Sequence, residues 1–284
     1  MNPRPPQLFQ YRLSVPSHRL FPGGHRGLRT NNGQLFNRHE PLMAHPDPRR
    51  IDLRASVLDV SGTYKVRAYR QPSVFDVVVL ADMSASMGQT GQTPQQTIML
   101  DGIRSIAQSA FSYGDRFSFI GCGASTEKPW LLGNCRHLGR LQAFVRQWQQ
   151  HRLTATSLCW QPALPHLPLQ RSLVFILSDF HFNAAQLKTL LQALARHDVV
   201  PLVLWQAEDY LNLPNWGLVN YQDAESGSMR TLFMRPVLRQ KILQAFAQRR
   251  QDLQQLCRSY GNEPLFLTDS FNPMQLQRYF LSKA

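Results

Sequence analysis

The stretch Val74-Phe75-Asp76-Val77-Val78-Val79-Leu80-Ala81-Asp82-Met83-Ser84-Ala85-Ser86 decides the fold. Its middle, Val77 to Ala81, is a short continuous apolar run, the pattern of a strand covered on both faces. A helix is predicted over Ile98 to Phe111, where Met99, Ile103, Ile106 and Ala110 recur at helical spacing, and another strand over Phe117 to Gly121. The alternation continues. Leu138, Leu141, Val145 and Trp148 mark a second helix, Ser172 to Ser178 a buried strand, Leu187, Leu190, Leu191 and Leu194 a third helix, and Val199 to Trp205 a further strand. Strands alternating with amphipathic helices imply parallel pairing through right-handed crossovers, hence an α/β three-layer sandwich with a mainly parallel central sheet.

Downstream, Trp216 to Tyr221 and Met229 to Met234, with Glu225-Ser226-Gly227-Ser228 between them, read as a hairpin excursion around 211–235. A long helix is predicted from Pro236, with Leu238, Ile242, Phe246, Leu253 and Leu256 as its apolar stripe. Leu265 to Thr268 reads as a last short strand, and Asn272-Pro273 as the start of a final helix. Upstream, Met1 to about Pro48 lacks periodicity and reads as an irregular arm, followed by a strand at Tyr64 to Tyr69 that Pro72 is expected to close. Two segments are therefore expected: a basic N-terminal arm and strand over 1–72, and the α/β domain over 73–284.

Charge is concentrated at the front. The 284 residues carry 31 Lys and Arg against 18 Asp and Glu, a net +13, and residues 1–70 hold 12 of the bases and only 4 of the acids. Only five of the 31 bases are lysine, and arginine's planar fork suits carboxylates and phosphates held in fixed geometry. Nucleic acid, anionic lipid headgroups and an acidic protein surface all fit such a segment electrostatically. The mean hydropathy of −0.31 and the lack of an apolar run of ~18 residues argue against a membrane span. Met1 to Gln10 has three prolines and no apolar stretch, so no signal-peptide helix is predicted and the cytoplasm is the expected location. Cys122, Cys135, Cys159 and Cys257 lie far apart without a CxxC pair and are expected as reduced, packed thiols.

Asp82-Met83-Ser84-Ala85-Ser86 stands at the carboxyl end of the first buried strand, where ligands gather in open parallel sheets. One carboxylate and two hydroxyls on a tight turn offer hard oxygen donors to a Mg2+-like ion. Asp179 ends another buried strand, and a third loop, Thr154-Ala155-Thr156-Ser157-Leu158, adds Thr156. Each residue alone is explained as well by helix capping or by a strand emerging into solvent. Together, five oxygen donors on three segments point to a metal site made of Asp82, Ser84, Ser86, Thr156 and Asp179.

These residues resemble the metal-ion-dependent adhesion site (MIDAS) of von Willebrand factor A-type domains. A wider resemblance is to the bacterial proteins grouped as domain of unknown function 58, through Arg49-Arg50-Ile51-Asp52-Leu53-Arg54-Ala55-Ser56, Gly114-Asp115-Arg116, Trp216-Gly217-Leu218 and Leu265-Phe266-Leu267-Thr268-Asp269. The chain departs from that pattern at Leu53, where the family has tryptophan, at His45-Pro46-Asp47-Pro48, and at Thr154-Ala155 in place of glycines. The resemblance implies a non-enzymatic adaptor that holds Mg2+, or Mn2+ or Ca2+, and binds a partner's acidic side chain. It also implies work alongside a MoxR-type AAA+ ATPase on a protein client, any membrane association being peripheral and through partners. Arg49, Arg50 and Arg54 are the partner-binding candidates of the basic arm.

Two other classes compete with this reading. A phosphoaspartyl phosphotransferase usually has a second aspartate two residues after the first, where this chain has Ser84, and a hydrolase nucleophile at Ser84 would want flanking glycines and a histidine. Only His181 falls near the site, more readily a polar residue of the loop rim than a base. For a nucleic-acid binder, Arg26, Arg29, Arg38, Arg49, Arg50 and Arg54 would meet phosphates while Tyr11, Phe21 and Phe36 stack on bases. No zinc finger, ribonucleoprotein motif or basic recognition helix accompanies them, so nucleic acid is not the expected partner.

Overall fold

The computed structural model describes residues 8–11, 25–44, 46–88, 95–124, 129–150, 153, 158–206, 213–222 and 229–283. They form two compact units. The larger takes in residues 8–11, the chain from Asp76 to Ser112, and the chain from Arg116 onward; the smaller includes the segment up to Phe75 and Tyr113–Asp115.

The larger unit is built on a six-stranded sheet. Its strands are β3 (Asp76–Asp82), β4 (Arg116–Cys122), β5 (Trp130–Cys135), β6 (Leu173–Ser178), β7 (Asp198–Trp205) and β10 (Leu265–Thr268), in the spatial order β10-β7-β6-β3-β4-β5. All neighbours are parallel except the edge pair β4–β5. Val77 to Ala81 are wholly buried, as a strand at the centre of a doubly covered sheet requires.

Side chains alternate between two cores. On one face Val78, Leu80, Val174, Ile176 and Val203 meet Leu187, Leu190 and Leu191 of α4 (Ala184–Ala193) and Leu253 and Cys257 of α5 (Pro236–Ser259). The other face is covered by α2 (Gln95–Ser112), α3 (Leu138–Gln149) and α6 (Pro273–Ser282), whose Phe280 meets Phe175 edge to face. The result is the expected three-layer α/β sandwich. Helix starts are fixed locally: Asn183 and Asn272 accept the Ala185 and Met274 amides, and Pro236 and Pro273 occupy first turns. Gly102 lets α2 lie close to β6 and to the loop after β10, since a Cβ there would stand 3.4 Å from Leu177 Cδ2 and 3.2 Å from the Phe271 ring.

Several expectations need correction. The first 48 residues are not all irregular: β1 (His25–Pro41) pairs antiparallel with β2 (Lys65–Ser73). Pro72 does not close β2, which runs through it to Ser73, a two-stranded ribbon tolerating proline where a central strand would not. Phe9 and Tyr11 belong to the sandwich core, each 2% exposed, so Tyr11 is not placed to stack on a base. Phe9 lies parallel to Phe280 and edge-on to Phe175, at ring separations of 6.3 Å in both cases. The hairpin strands are β8 (Gly217–Gln222) and β9 (Met229–Met234); the turn assigned to Glu225–Ser228 lies outside the described residues, as does Phe21. Cys122, Cys135 and Cys257 are buried free thiols, and Cys159 is partly buried.

One buried base sets an acid limit on stability. Burial, helped by the charges of Arg196 and Arg171, pushes the His197 imidazole down to about 4 from its ordinary 6.5. The unfolded chain takes up this proton first, so stability should fall as pH drops from about 6.5 towards 4. The loss, screened in part by solvent, is on the order of 2 kcal/mol. Across that window the urea midpoint should fall for the wild type and fall less for His197→Gln.

Candidate metal centre at the switch point of the sheet

Counted from β3, the strand order reads 3-2-1-4-5-6, so successive connections leave in opposite directions from β3 and β6. At such a switch point the loops beyond the carboxyl ends of the two strands splay apart and leave a crevice. Asp82 ends β3 and Asp179 follows directly on β6. The sheet therefore brings together two carboxylates 97 residues apart in sequence.

The turn after β3 is held by its own polar groups. The Ser84 amide donates to Asp82 Oδ1 at 2.9 Å, and the Ser84 and Ser86 hydroxyls lie 2.9 Å apart. Met87, wholly buried, anchors the short 3-10 turn Ala85–Gly88, and its amide donates to the Ser84 carbonyl. Gly121 on β4 makes room for the turn: a Cβ there would stand 3.0 Å from Met83 Cγ.

On the β6 side, the Ser178 hydroxyl donates to Asp82 Oδ2 at 2.6 Å and accepts the Phe180 amide at 2.9 Å. Asp179 Oδ1 accepts the His181 amide at 2.9 Å, and His181 Nδ1 lies 3.4 Å from Asp179 Oδ2. The Asp179 carbonyl takes the Trp205 indole N–H at 2.9 Å. Phe180 has a φ of 54°, an unusual conformation for a bulky residue, and Arg249 fixes it by donating to its carbonyl at 2.7 Å.

Asp82, Ser84 and Asp179 are buried, while Ser86 and the His181 side chain are partly open and form the rim. Burial and the neighbouring Asp179 charge push the Asp82 carboxyl up to about 7. Burial opposes charge on Asp179 too, but hydrogen bonds from His181 and Ser86 outweigh it and hold this carboxyl below the usual range. Asp82's hydrogen-bond donors, the Ser84 amide and the Ser178 hydroxyl, are both neutral. Two buried carboxylates lined with hydroxyls and lacking a charged donor on Asp82 are a donor set suited to a hard divalent cation.

Among the described residues no three His, Cys, Asp or Glu side chains cluster as metal ligands, so a site here would lean on hydroxyls. Four of the five residues named from sequence, Asp82, Ser84, Ser86 and Asp179, come together. Thr156 lies outside the described residues; Cys159, three positions on, donates its amide to the Gly123 carbonyl just beyond β4. Sequence reasoning missed Ser178, Trp205 and Arg249. Ser178 reads in sequence only as the last residue of a buried strand, and the other two act from β7 and α5 and have no local signal. The Ser84 hydroxyl faces Ser86, and His181 engages Asp179.

Of the basic-arm candidates, Arg50 pairs with Asp47 at 3.1 Å and lies over the Tyr69 ring. The side chains of Arg49 and Arg54 make no ion pair among the described residues, and both are exposed. Arg38 pairs with Glu40 at 2.7 Å.

The strand order and the paired carboxylates define a doubly wound α/β sandwich with a polar switch-point crevice. The chain belongs to the family described as protein of unknown function DUF58, whose model matches residues 47–252. Uncharacterized protein Rv1480 of Mycobacterium tuberculosis and uncharacterized protein Mb1516 of Mycobacterium bovis are each 27% identical over 158 residues, covering 51% of this chain and 50% of theirs. The chain thus spans about half the length of the curated relatives it matches. Among solved structures it is similar to the conserved hypothetical protein BatB from Bacteroides thetaiotaomicron, at 13% identity and a TM-score of 0.41 over 75% of this chain and 100% of that one. Pilus adhesin SpaC from Lactobacillus rhamnosus GG, in its open conformation, gives 12% identity and a TM-score of 0.43 over 74% of this chain and 29% of that one. No helix among the described residues is long and apolar enough to cross a membrane.

Proposed function

We propose that this chain is a protein-interaction module whose switch-point crevice holds a divalent cation, Mg2+ or alternatively Mn2+ or Ca2+, and through it an acidic side chain of a partner. The observation that carries this reading is the meeting of Asp82 and Asp179, with the Ser84, Ser86 and Ser178 hydroxyls, at one buried point. A bound cation would supply an open coordination position and excess positive charge to attract a carboxylate.

Asp82, Ser84, Ser86 and Asp179 would hold it, directly or through water, with Thr156 from the third loop. Ser178 orients Asp82, and His181 with Trp205 orients Asp179. The serines bring no charge, so a partner's carboxylate would not meet a fully neutralised ion. In this reading the role is binding without catalysis. The family resemblance supports a MoxR-type AAA+ ATPase as partner, with the module linking ATP-driven remodelling to a protein client.

The test is capture of a MoxR-type ATPase from the same genome by the immobilised full chain. Capture should be strong in Mg2+, fall at least about tenfold in excess EDTA, as loss of a charge-assisted contact to a metal predicts, and return when Mg2+ is restored. Equal capture with and without chelator contradicts the reading.

A further inference from the structure

In the smaller unit, the segment Leu42–Tyr64 joins β1 to β2 at one end of their ribbon. It is tied there by the Leu42 amide to the Tyr64 carbonyl, the Asp52 amide to the Lys65 carbonyl, and the Lys65 amide to the Ser56 hydroxyl. Within it lies a five-residue helix, α1 (Leu53–Val57). The segment presents six exposed apolar side chains: Met43, Leu53, Val57, Leu58, Val60 and Tyr64. Leu53 and Val57 share a helix face four residues apart, and Val57, Leu58 and Val60 stand 85%, 82% and 105% exposed, as bare as side chains on an extended peptide.

The charges around them are sorted by sign. All three acids of the segment are taken up internally. Asp47 binds Arg50; Asp52 caps α1 and accepts from Arg67 at 2.8 Å; Asp59 binds Ser61, Thr63 at 2.7 Å and Lys65 at 3.3 Å. Arg67, by its hydrogen bond to Asp52, and the Asp52 N-cap to Ala55 hold the Asp52 carboxyl well below its ordinary range, so it stays ionised and paired. Arg49 and Arg54, in the same segment, are left exposed and without an ion pair among the described residues.

We propose that this segment docks the protein on an anionic lipid surface, Val57, Leu58 and Val60 entering the headgroup and acyl boundary while Arg49 and Arg54 meet lipid phosphates. Two features favour a bilayer over a protein partner. The apolar groups protrude almost fully, and a bilayer takes up protruding chains without a matching pocket, whereas a protein interface needs one. The charges left without an ion-pair partner among the described residues are positive only, which complements an anionic leaflet. The chain's basic excess in residues 1–70 acts in the same direction. This proposal is independent of the metal reading.

The test is co-sedimentation of the full chain, in EDTA, with phosphatidylcholine vesicles with and without phosphatidylglycerol. The wild type should sediment with the anionic vesicles and be released by high salt. Leu58→Asp with Val60→Asp should reduce binding at least about tenfold, since both side chains lose their transfer into the interface. Arg49→Gln and Arg54→Gln should each reduce it about fivefold. Because all four side chains are exposed, the melting temperature of each variant should match the wild type. Absence of sedimentation at low salt, or retention unchanged in the Leu58/Val60 variant, overturns the proposal. It is equally overturned if random-sequence DNA competes the protein off through arginines alone, or if the apolar pair governs only self-association in ultracentrifugation.

Discussion

Replacing Asp82 by asparagine is expected to abolish the rise in melting temperature that Mg2+ gives the wild-type chain, while leaving the metal-free protein folded. Ligand that binds only the native state stabilises by about 2.7 kcal/mol at a hundredfold excess over its dissociation constant. For a domain of this size that is a rise of roughly 5 to 10 °C. Asparagine keeps the side-chain carbonyl that accepts the Ser84 amide, and with it the shape of the turn. It removes one of two buried charges that, without a cation, oppose each other, so the metal-free variant should melt at or above the wild type. Asp179→Asn should lose the Mg2+ response in the same way. Loss of folding in both variants without metal would instead mark these carboxylates as structural.

Phe9→Ala should be strongly destabilising, although Phe9 lies outside the site and in a proline-rich stretch. Phe9 fills the core against Phe175 of β6 and Phe280 of α6, and its amide donates to the Ser109 hydroxyl of α2 at 3.1 Å. Truncating a buried phenylalanine costs about 3 to 5 kcal/mol, because a cavity remains where the ring was. Thermal melts should show a fall of roughly 10 °C or more. Leu8→Ala, at an exposed neighbour, should change stability by less than about 0.5 kcal/mol. A small effect at Phe9 would mean that the aromatic triad closes without it.

The sandwich was legible because its strands are buried on both faces. Val77 to Ala81 and Leu173 to Leu177 are apolar without interruption, and the intervening helices carry single stripes such as Leu187, Leu190, Leu191 and Leu194. What escaped lacks that local signature. β5 is an antiparallel edge strand with a register irregularity and a left-handed Asn134, so its alternation is broken. β1, interrupted by glycines and arginines, owes its form to pairing with β2 some 30 residues on, which no local pattern announces. Phe9 and Tyr11 are two aromatics in a proline-rich stretch, and only the finished core shows what they fill.

The carboxylates and serines of the crevice were readable from their place at strand ends, since in a parallel sheet those ends are where side chains of distant segments converge. The network that orients them was not. Ser178 reads as one more residue of a buried strand until the register pairs Ala81 with Leu177 and so sets Asp82 opposite Ser178. The partition of the basic residues was equally hidden: Arg49, Arg50 and Arg54 look alike in sequence, yet Arg50 is held by Asp47 and Tyr69 while its two neighbours face outward.

The most direct measurement is an anomalous difference map from crystals grown with Mn2+. The account predicts a peak between Asp82, Ser84, Ser86 and Asp179, with their oxygens turned towards it. A map with no peak there would contradict it.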